Sequence, residues 1–201
     1  MPGAVTDGAR GPPGNPLIGV LAGCSVWPVL IRREVPGDER AIRDVHADAF
    51  ASHYPGGRPV EPALVDALRG GEAWIPPLSL VAEVDGAIAG HVCCTRATLL
   101  PGGQAVLGLG PLGVRTAFQR RGVGSALMHA VLAAADALDE LLVVLLGHRA
   151  YYPRFGFVLA ADLGVEPEVP QWAGDLQARP LTRYRPGLTG RFRYAKPFYD
   201  L

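Results

Sequence analysis

The chain has 201 residues, 49% of them hydrophobic and 19% charged, with 19 lysines plus arginines against 19 aspartates plus glutamates. That length and apolar content suit one folded domain with short extensions and exclude wholesale disorder. The even charge balance removes the bulk electrostatic footprint of a nucleic-acid or anionic-membrane binder, and no run is long and apolar enough to span a bilayer.

Residues 1–28 read as a Pro/Gly-rich N-terminal extension, expected to be partly disordered. Within it Leu21-Ala-Gly-Cys24 has the look of a lipoprotein cleavage box. The apolar run before it falls short of the roughly 7–15 residues of a signal segment, so the expected location is cytoplasmic. The folded domain is expected over residues 29–160, and 161–201 as a C-terminal extension whose final strand packs on it. Leu30 to Val35 reads as the first strand. Pro36-Gly-Asp38 breaks it, and Asp38 stands as N-cap of a helix with Ile42, Val45, Ala49 and Phe50 at helical spacing. Pro62 to Arg69 is a short helix stopped by Gly70-Gly71. Leu78 to Val84 and Ala87 to Thr95 form a hairpin around Asp85-Gly86. Cys93 and Cys94 are strand neighbours on opposite faces and read as small buried hydrophobes. With Cys24 apart, the three cysteines make neither a disulfide framework nor a zinc spacing, and no metal is expected.

Val106 to Val114 is the next strand. Its Gly108-Leu-Gly-Pro-Leu-Gly113 formally matches a dinucleotide-binding pattern, but Pro111 interrupts it and no helix opens after it, so the NAD reading is rejected. Glycine and proline inside a strand mark a bulge instead. Ser125 to Leu138 is an alanine-rich helix with Leu127, Val131 and Leu138 at helical spacing. The six apolar residues Leu141 to Leu146 read as a buried parallel strand. From Asp162 to Pro186 prolines interrupt every periodicity, which predicts a surface-wrapping segment before a last strand, Leu188 to Ala195.

Between the strand ending at Val114 and the helix lies Gln119-Arg-Arg-Gly-Val-Gly124. A strand feeding a helix through such a turn aims unpaired N–H groups and the positive end of the helix dipole at one point. Gly122 and Gly124 remove Cβ atoms that would hold an anion away and permit positive φ. Gln119, Arg120, Arg121, Gly122, Val123, Gly124 and Ser125 are therefore a candidate phosphate cradle.

This loop, the apolar strand and Tyr151-Tyr-Pro-Arg-Phe-Gly-Phe157 together resemble the GNAT superfamily of acetyl-CoA-dependent N-acetyltransferases, over roughly residues 30 to 160. Gln-x-x-Gly-x-Gly is that family's phosphate motif, and Tyr152 precedes Gly156-Phe157 at the family's spacing. The bacterial YhbS-like branch looks most similar, including Gly187-Leu-Thr-Gly-Arg-Phe-Arg-Tyr194. The resemblance implies a mixed α/β (α+β) fold: a twisted, mostly antiparallel sheet with splayed parallel central strands and flanking helices. It implies acetyl-CoA as co-substrate, an amine acceptor, and a homodimer as an open alternative to a monomer. Leu112, Gly113 and Val114 would pair with the pantetheine arm, and a main-chain N–H near Val114 would face the charge developing on the thioester oxygen. Tyr152 would protonate the departing thiolate, while Tyr151, one residue round the helix, would pack. No carboxylate lies in Val106 to Val114 to act as general base, which leaves His148 as the candidate, with His53, Glu72 and His91 behind it. The acceptor is expected to be a small primary amine. The alternatives are a protein amine, or a CoA-binding or regulatory module without turnover.

Overall fold

The computed structural model describes residues 28–200, so the N-terminal extension and the Leu21-Ala-Gly-Cys24 box lie outside the described residues. β1 (Val29–Arg33) leads into α1 (Glu39–Phe50) and α2 (Glu61–Arg69). A meander follows, β2 (Trp74–Val84), β3 (Ala87–Leu100) and β4 (Gln104–Val114), then α3 (Val123–Ala137) and β5 (Leu142–Leu146). The chain ends with β6 (Val158–Leu159), β7 (Val165–Pro167), β8 (Leu176–Pro180) and β9 (Gly190–Arg193). One mixed sheet runs in the order β1-β2-β3-β4-β5-β8-β6, with β9 on β3 and β7 on β9. Its pairings are antiparallel except β4–β5 and the short β7–β9. The expected mostly antiparallel α/β architecture with a parallel central pair is the one observed.

The β2–β3 hairpin turns on Asp85 at φ 51 and Gly86 at φ 75, the two positive values that a tight two-residue hairpin turn requires. Both strands run further than the hydrophobic pattern predicts. Pro76 and Pro77 donate no ladder hydrogen bonds, so pairing jumps from Trp74↔Thr95 to Ser79↔Cys93 and the early part of β2 is hidden behind the irregularity. Asp38 does stand at the head of α1, but its carboxylate makes no capping bond. It is taken instead by the Arg32 guanidinium at 2.6 Å and the Val35 N–H at 2.9 Å. That ion pair is the stronger competitor for the oxygens.

The unbroken run Leu142–Leu145 is apolar because both faces of β5 are covered. Val143 and Leu145 enter a core layer with Leu127, Met128 and Phe157 beneath α3. Leu142 and Val144 enter the opposite layer with Leu99, Leu176 and Phe192. Cys94 and Cys93 divide between the two sides in the same way, and both are fully buried. The surface-wrapping reading of 162–186 is corrected here. Leu176 to Pro180 is a strand lying antiparallel along the whole of β5, with Leu176, Gln177 and Ala178 buried. Pro170 and Pro180 bracket the segment and mask its periodicity, and Pro180 occupies the strand's last position.

Candidate active site

The helix α3 opens two residues earlier than its alanine-rich pattern suggests. Gly122, at φ 85, is its N-cap residue, and no side chain caps it. The first intrahelical bond runs from the Ala126 N–H to the Gly122 carbonyl, 2.9 Å, so the N–H groups of Val123, Gly124 and Ser125 have no acceptor within the helix. A Cβ on Gly122 would meet nothing within 4 Å, which leaves open space over the cradle. Gly124 lies inside the first turn of α3, so positive φ is not what it provides. Its missing Cβ makes room for the Tyr151 hydroxyl, 2.9 Å from where that atom would stand. The positive φ values in the loop are those of Gly122 and of Arg120, at 58°. Arg120 and Arg121 are exposed, Val123 is buried in the core, and Gln119 donates from Nε2 to the Val114 carbonyl at 3.0 Å, tying the loop to β4.

The second part of the site is the opening between β4 and β5. Their parallel pairing is limited to Leu107↔Val143 and Gly108↔Val144. Beyond it β4 bulges: opposite β3 the register steps from Cys94↔Leu109 to Val92↔Leu112, one extra residue on β4 around Gly110-Pro111. The Arg115 N–H bonds the Ala89 carbonyl on the β3 side. By alternation the main-chain groups of Leu112 and Val114 turn away from β3, toward the opening, while those of Gly113 turn to β3. On the facing strand Gly147 bonds back to Asp175, and the Leu146 N–H, which turns toward the gap, is met by the Tyr194 hydroxyl at 2.9 Å.

The splay opens a cleft of about 430 Å³. Tyr152, Tyr151 and His148 line it, together with Leu109 and Leu112 of the bulge. His148 is exposed and stands at the rim, as its place after β5 suggests. Tyr152 is half-buried and packs edge-on against Tyr151 and Phe157. Burial, with Tyr151 adding to it, pushes its phenol up to about 12. Tyr151 does more than pack, because its hydroxyl reaches the first turn of α3. Burial raises its pKa, while the Ser125 hydroxyl beside it pulls the other way. Two glycines exist for these rings: a Cβ on Gly147 would collide with Tyr152 Cε2, and one on Gly108 would lie 2.7 Å from the Tyr194 ring.

Of the weaker candidates, His53 and Glu72 are exposed and stand outside the cleft lining. His91 is fully buried in a polar row behind β4. Ser79 Oγ donates to Glu34 at 2.5 Å and lies 2.9 Å from His91 Nε2, and His91 Nδ1 lies 2.8 Å from His46 Nε2. Burial lowers the pKa of both histidines and holds them neutral. The row ends at His46 Nδ1, which has no partner among the described residues and stands 2.7 Å from where a Cβ on Gly113 would be. Glu61, the first residue of α2, lines the cleft and was missed by sequence reasoning. Nothing in its local pattern, a helix start before Pro62, says where its carboxylate goes. Among the described residues no cluster of His, Cys, Asp and Glu could hold a metal, and no helix is long and apolar enough to cross a membrane.

The pattern of the acetyltransferase (GNAT) family matches residues 41–157. The uncharacterized N-acetyltransferase YjhQ of Escherichia coli is 34% identical over 171 residues, which cover 80% of this chain and 88% of YjhQ. The uncharacterized N-acetyltransferase YhbS of the same organism is 30% identical, over 85% of this chain and 98% of its own. The crystal structure of E. coli YhbS in complex with CoA superposes with a TM-score of 0.78 at 28% identity, covering 89% of this chain and 96% of that one. A GNAT family acetyltransferase of Brucella melitensis in complex with acetyl-CoA gives 0.70 at 31% identity, over 86% and 99% of the two chains.

Proposed function

The chain belongs to the GNAT acetyltransferase family, and from that premise we propose that it moves the acetyl group of acetyl-CoA onto the primary amine of a small molecule, with Tyr152 as general acid. The observation that carries this reading is a convergence. The β4–β5 opening and Tyr152 line one cleft, and the Tyr151 hydroxyl, from the same lining, stands beside Gly124 in the first turn of α3. The residues present fit the co-substrate. Three N–H groups without helical acceptors, no acidic side chain in the first turn of α3 and open space over Gly122 suit a pyrophosphate. Leu112 offers main-chain groups along the opening to an extended amide-bearing arm, and Val114, its carbonyl held by Gln119, offers its N–H.

Acetyl-CoA supplies an activated acetyl thioester, whose C–S bond breaks as the C–N bond to the amine forms. The Val114 N–H, facing the opening, stabilises negative charge at the carbonyl oxygen. Tyr152 holds its proton at Oη. A phenol whose pKa stands at about 12 is protonated at every working pH, so the acid is always loaded. The proton then passes from Tyr152 Oη to the leaving sulfur, and the proton shed by the amine restores the phenol, directly or through water. His148 at the rim is placed to take the proton that an incoming ammonium must lose before it can attack.

Tyr152→Phe keeps the ring and removes the proton. It should lower kcat by about 10²–10⁴-fold while acetyl-CoA still raises the melting temperature as in the parent protein. Tyr151→Phe should do the reverse, weakening acetyl-CoA binding more than turnover, because its hydroxyl stands at the α3 turn. A Tyr152→Phe enzyme at full speed refutes the assignment of the acid.

A further inference from the structure

We infer that the acceptor half of the cleft is a subsite for an apolar-bodied diamine whose non-reacting nitrogen is held as an ammonium by Glu61. The inference rests on the acetyltransfer reading above and deepens it. Opposite the tyrosines, the cleft wall is built from Phe50, Leu64, Trp172, Tyr194 and Phe198, a largely aromatic surface. Tyr194 and Phe198 stack at 4.3 Å between centroids, and Trp172 stands edge-on to Tyr194 at 6.1 Å. Among the described residues neither Lys nor Arg lines the cleft, and Glu61 is the one carboxylate that does. Its Oε1 accepts the Tyr54 hydroxyl at 3.2 Å. Its Oε2 is closed to solvent and has no partner among the described residues.

With Oε1 committed to Tyr54 and Oε2 without a donor, this carboxylate has acceptor capacity to spare, and turning the side chain to bring Oε2 out of its closed position lets an ammonium in the cleft fill it. The aromatic walls add attraction for the same charge through their ring faces. An acceptor bearing its own carboxylate would meet Glu61 with neither Lys nor Arg in the lining to offset it. The reacting nitrogen is not the one that Glu61 holds. An opposite charge close by favours the protonated form, and an ammonium has no lone pair with which to attack a thioester. The acceptor therefore carries two nitrogens separated by an apolar or aromatic spacer, one charged at Glu61 and one neutral toward Tyr152.

The test compares 1,6-diaminohexane, hexylamine and 6-aminohexanoate as acceptors, matched in length and differing only at the far end. The diamine should exceed hexylamine in kcat/KM by about 10–100-fold, the range of one charge-assisted hydrogen bond, and 6-aminohexanoate should be the poorest. Glu61→Gln should bring the diamine and hexylamine to near parity while stabilisation by acetyl-CoA is retained. Parity in the parent protein, or a preference that survives Glu61→Gln, overturns the proposal. Equilibrium binding of the same three compounds to the CoA-loaded protein reads the subsite without turnover. Diamine binding lost in Glu61→Gln upholds the subsite, and absence of transfer then counts against the acetyltransfer reading alone. Failure of the CoA-loaded protein to bind the diamine in preference to hexylamine overturns the subsite whatever the turnover.

Discussion

Gly147→Ala tests whether the position of the Tyr152 ring is what the end of β5 is built to provide. The added methyl would overlap Tyr152 Cε2 and lie 3.1 and 3.2 Å from Cδ2 and Cζ, where carbon atoms normally sit about 3.5–4.0 Å apart. The ring must retreat by on the order of 1 Å, and it is hemmed in by Tyr151 at 5.0 Å and Phe157 at 5.8 Å between centroids. Overpacking of this kind costs about 1–3 kcal/mol, which for a protein of this size lowers Tm by about 2–12 °C. The chemical cost is larger. Moving a reacting group by about 1 Å is worth about 10²-fold in rate. Thermal unfolding and release of free CoA thiol with an active amine measure the two effects. The control is a cycle with Tyr152→Ala, in which the ring is gone and Gly147→Ala should cost less than about 0.5 kcal/mol. An undiminished penalty in that background, or a Gly147→Ala enzyme with parental kcat, refutes the reasoning.

Two further outcomes are expected. Gly124→Asp places a carboxylate in the first turn of α3, against the Tyr151 hydroxyl, and should abolish the thermal stabilisation given by acetyl-CoA, about 2.7 kcal/mol at a hundredfold excess over Kd in the parent protein; retained stabilisation removes the cradle. At Glu34 burial pushes the carboxyl up, but hydrogen bonds from His91, Arg69 and Ser79 outweigh it and hold the group at about 2. Its contribution is thus fully present above about pH 4.5 and lost as pH falls toward 2, on the order of 3 kcal/mol, and urea unfolding of Glu34→Gln should show a flatter slope across that window than the parent.

What was legible in the sequence is what local rules govern. Asp85-Gly86 has a single low-cost backbone solution between two apolar strands, and the hairpin is there. Gly110-Pro111 cannot continue a ladder, and the bulge and splay are there. The glycine turn before α3 was legible because its N–H groups without helical acceptors follow from the turn itself. What escaped is set by contacts across the fold. β8 is a strand because β5 offers an edge to it, a fact absent from the proline-bracketed text around Leu176. Gly124 looked like a residue chosen for φ, yet it is shaped by a hydroxyl 27 positions further along the chain. Glu61 carries no signal at all, since a first-turn glutamate is ordinary on any helix and only the packing of α2 against the cleft makes this one matter.

The glycines of the β4–β5 opening also explain why the cleft stays open. Parallel strands that part would normally leave ladder groups unpaired and invite the gap to close or fill with water. Here the Leu146 N–H is taken by Tyr194, whose ring occupies the space over Gly108, and the Val114 carbonyl is taken by Gln119. Tyr194 arrives from the segment after β9, whose strand lies against β3, so the C-terminal segment holds the two central strands apart at the place where the site forms. Behind β4 the row from the Glu34 carboxylate to the neutral His46 bears on the same strand. It carries polar groups through the core and ends against Gly113, where any side chain on β4 would collide with His46. The splay's main-chain groups are thus satisfied by a loop glutamine and a C-terminal tyrosine, while a buried histidine packs against β4 at Gly113. The proposed phosphate cradle is tied to the same strand through Gln119, so a change that closes the opening should disturb co-substrate binding as well as transfer.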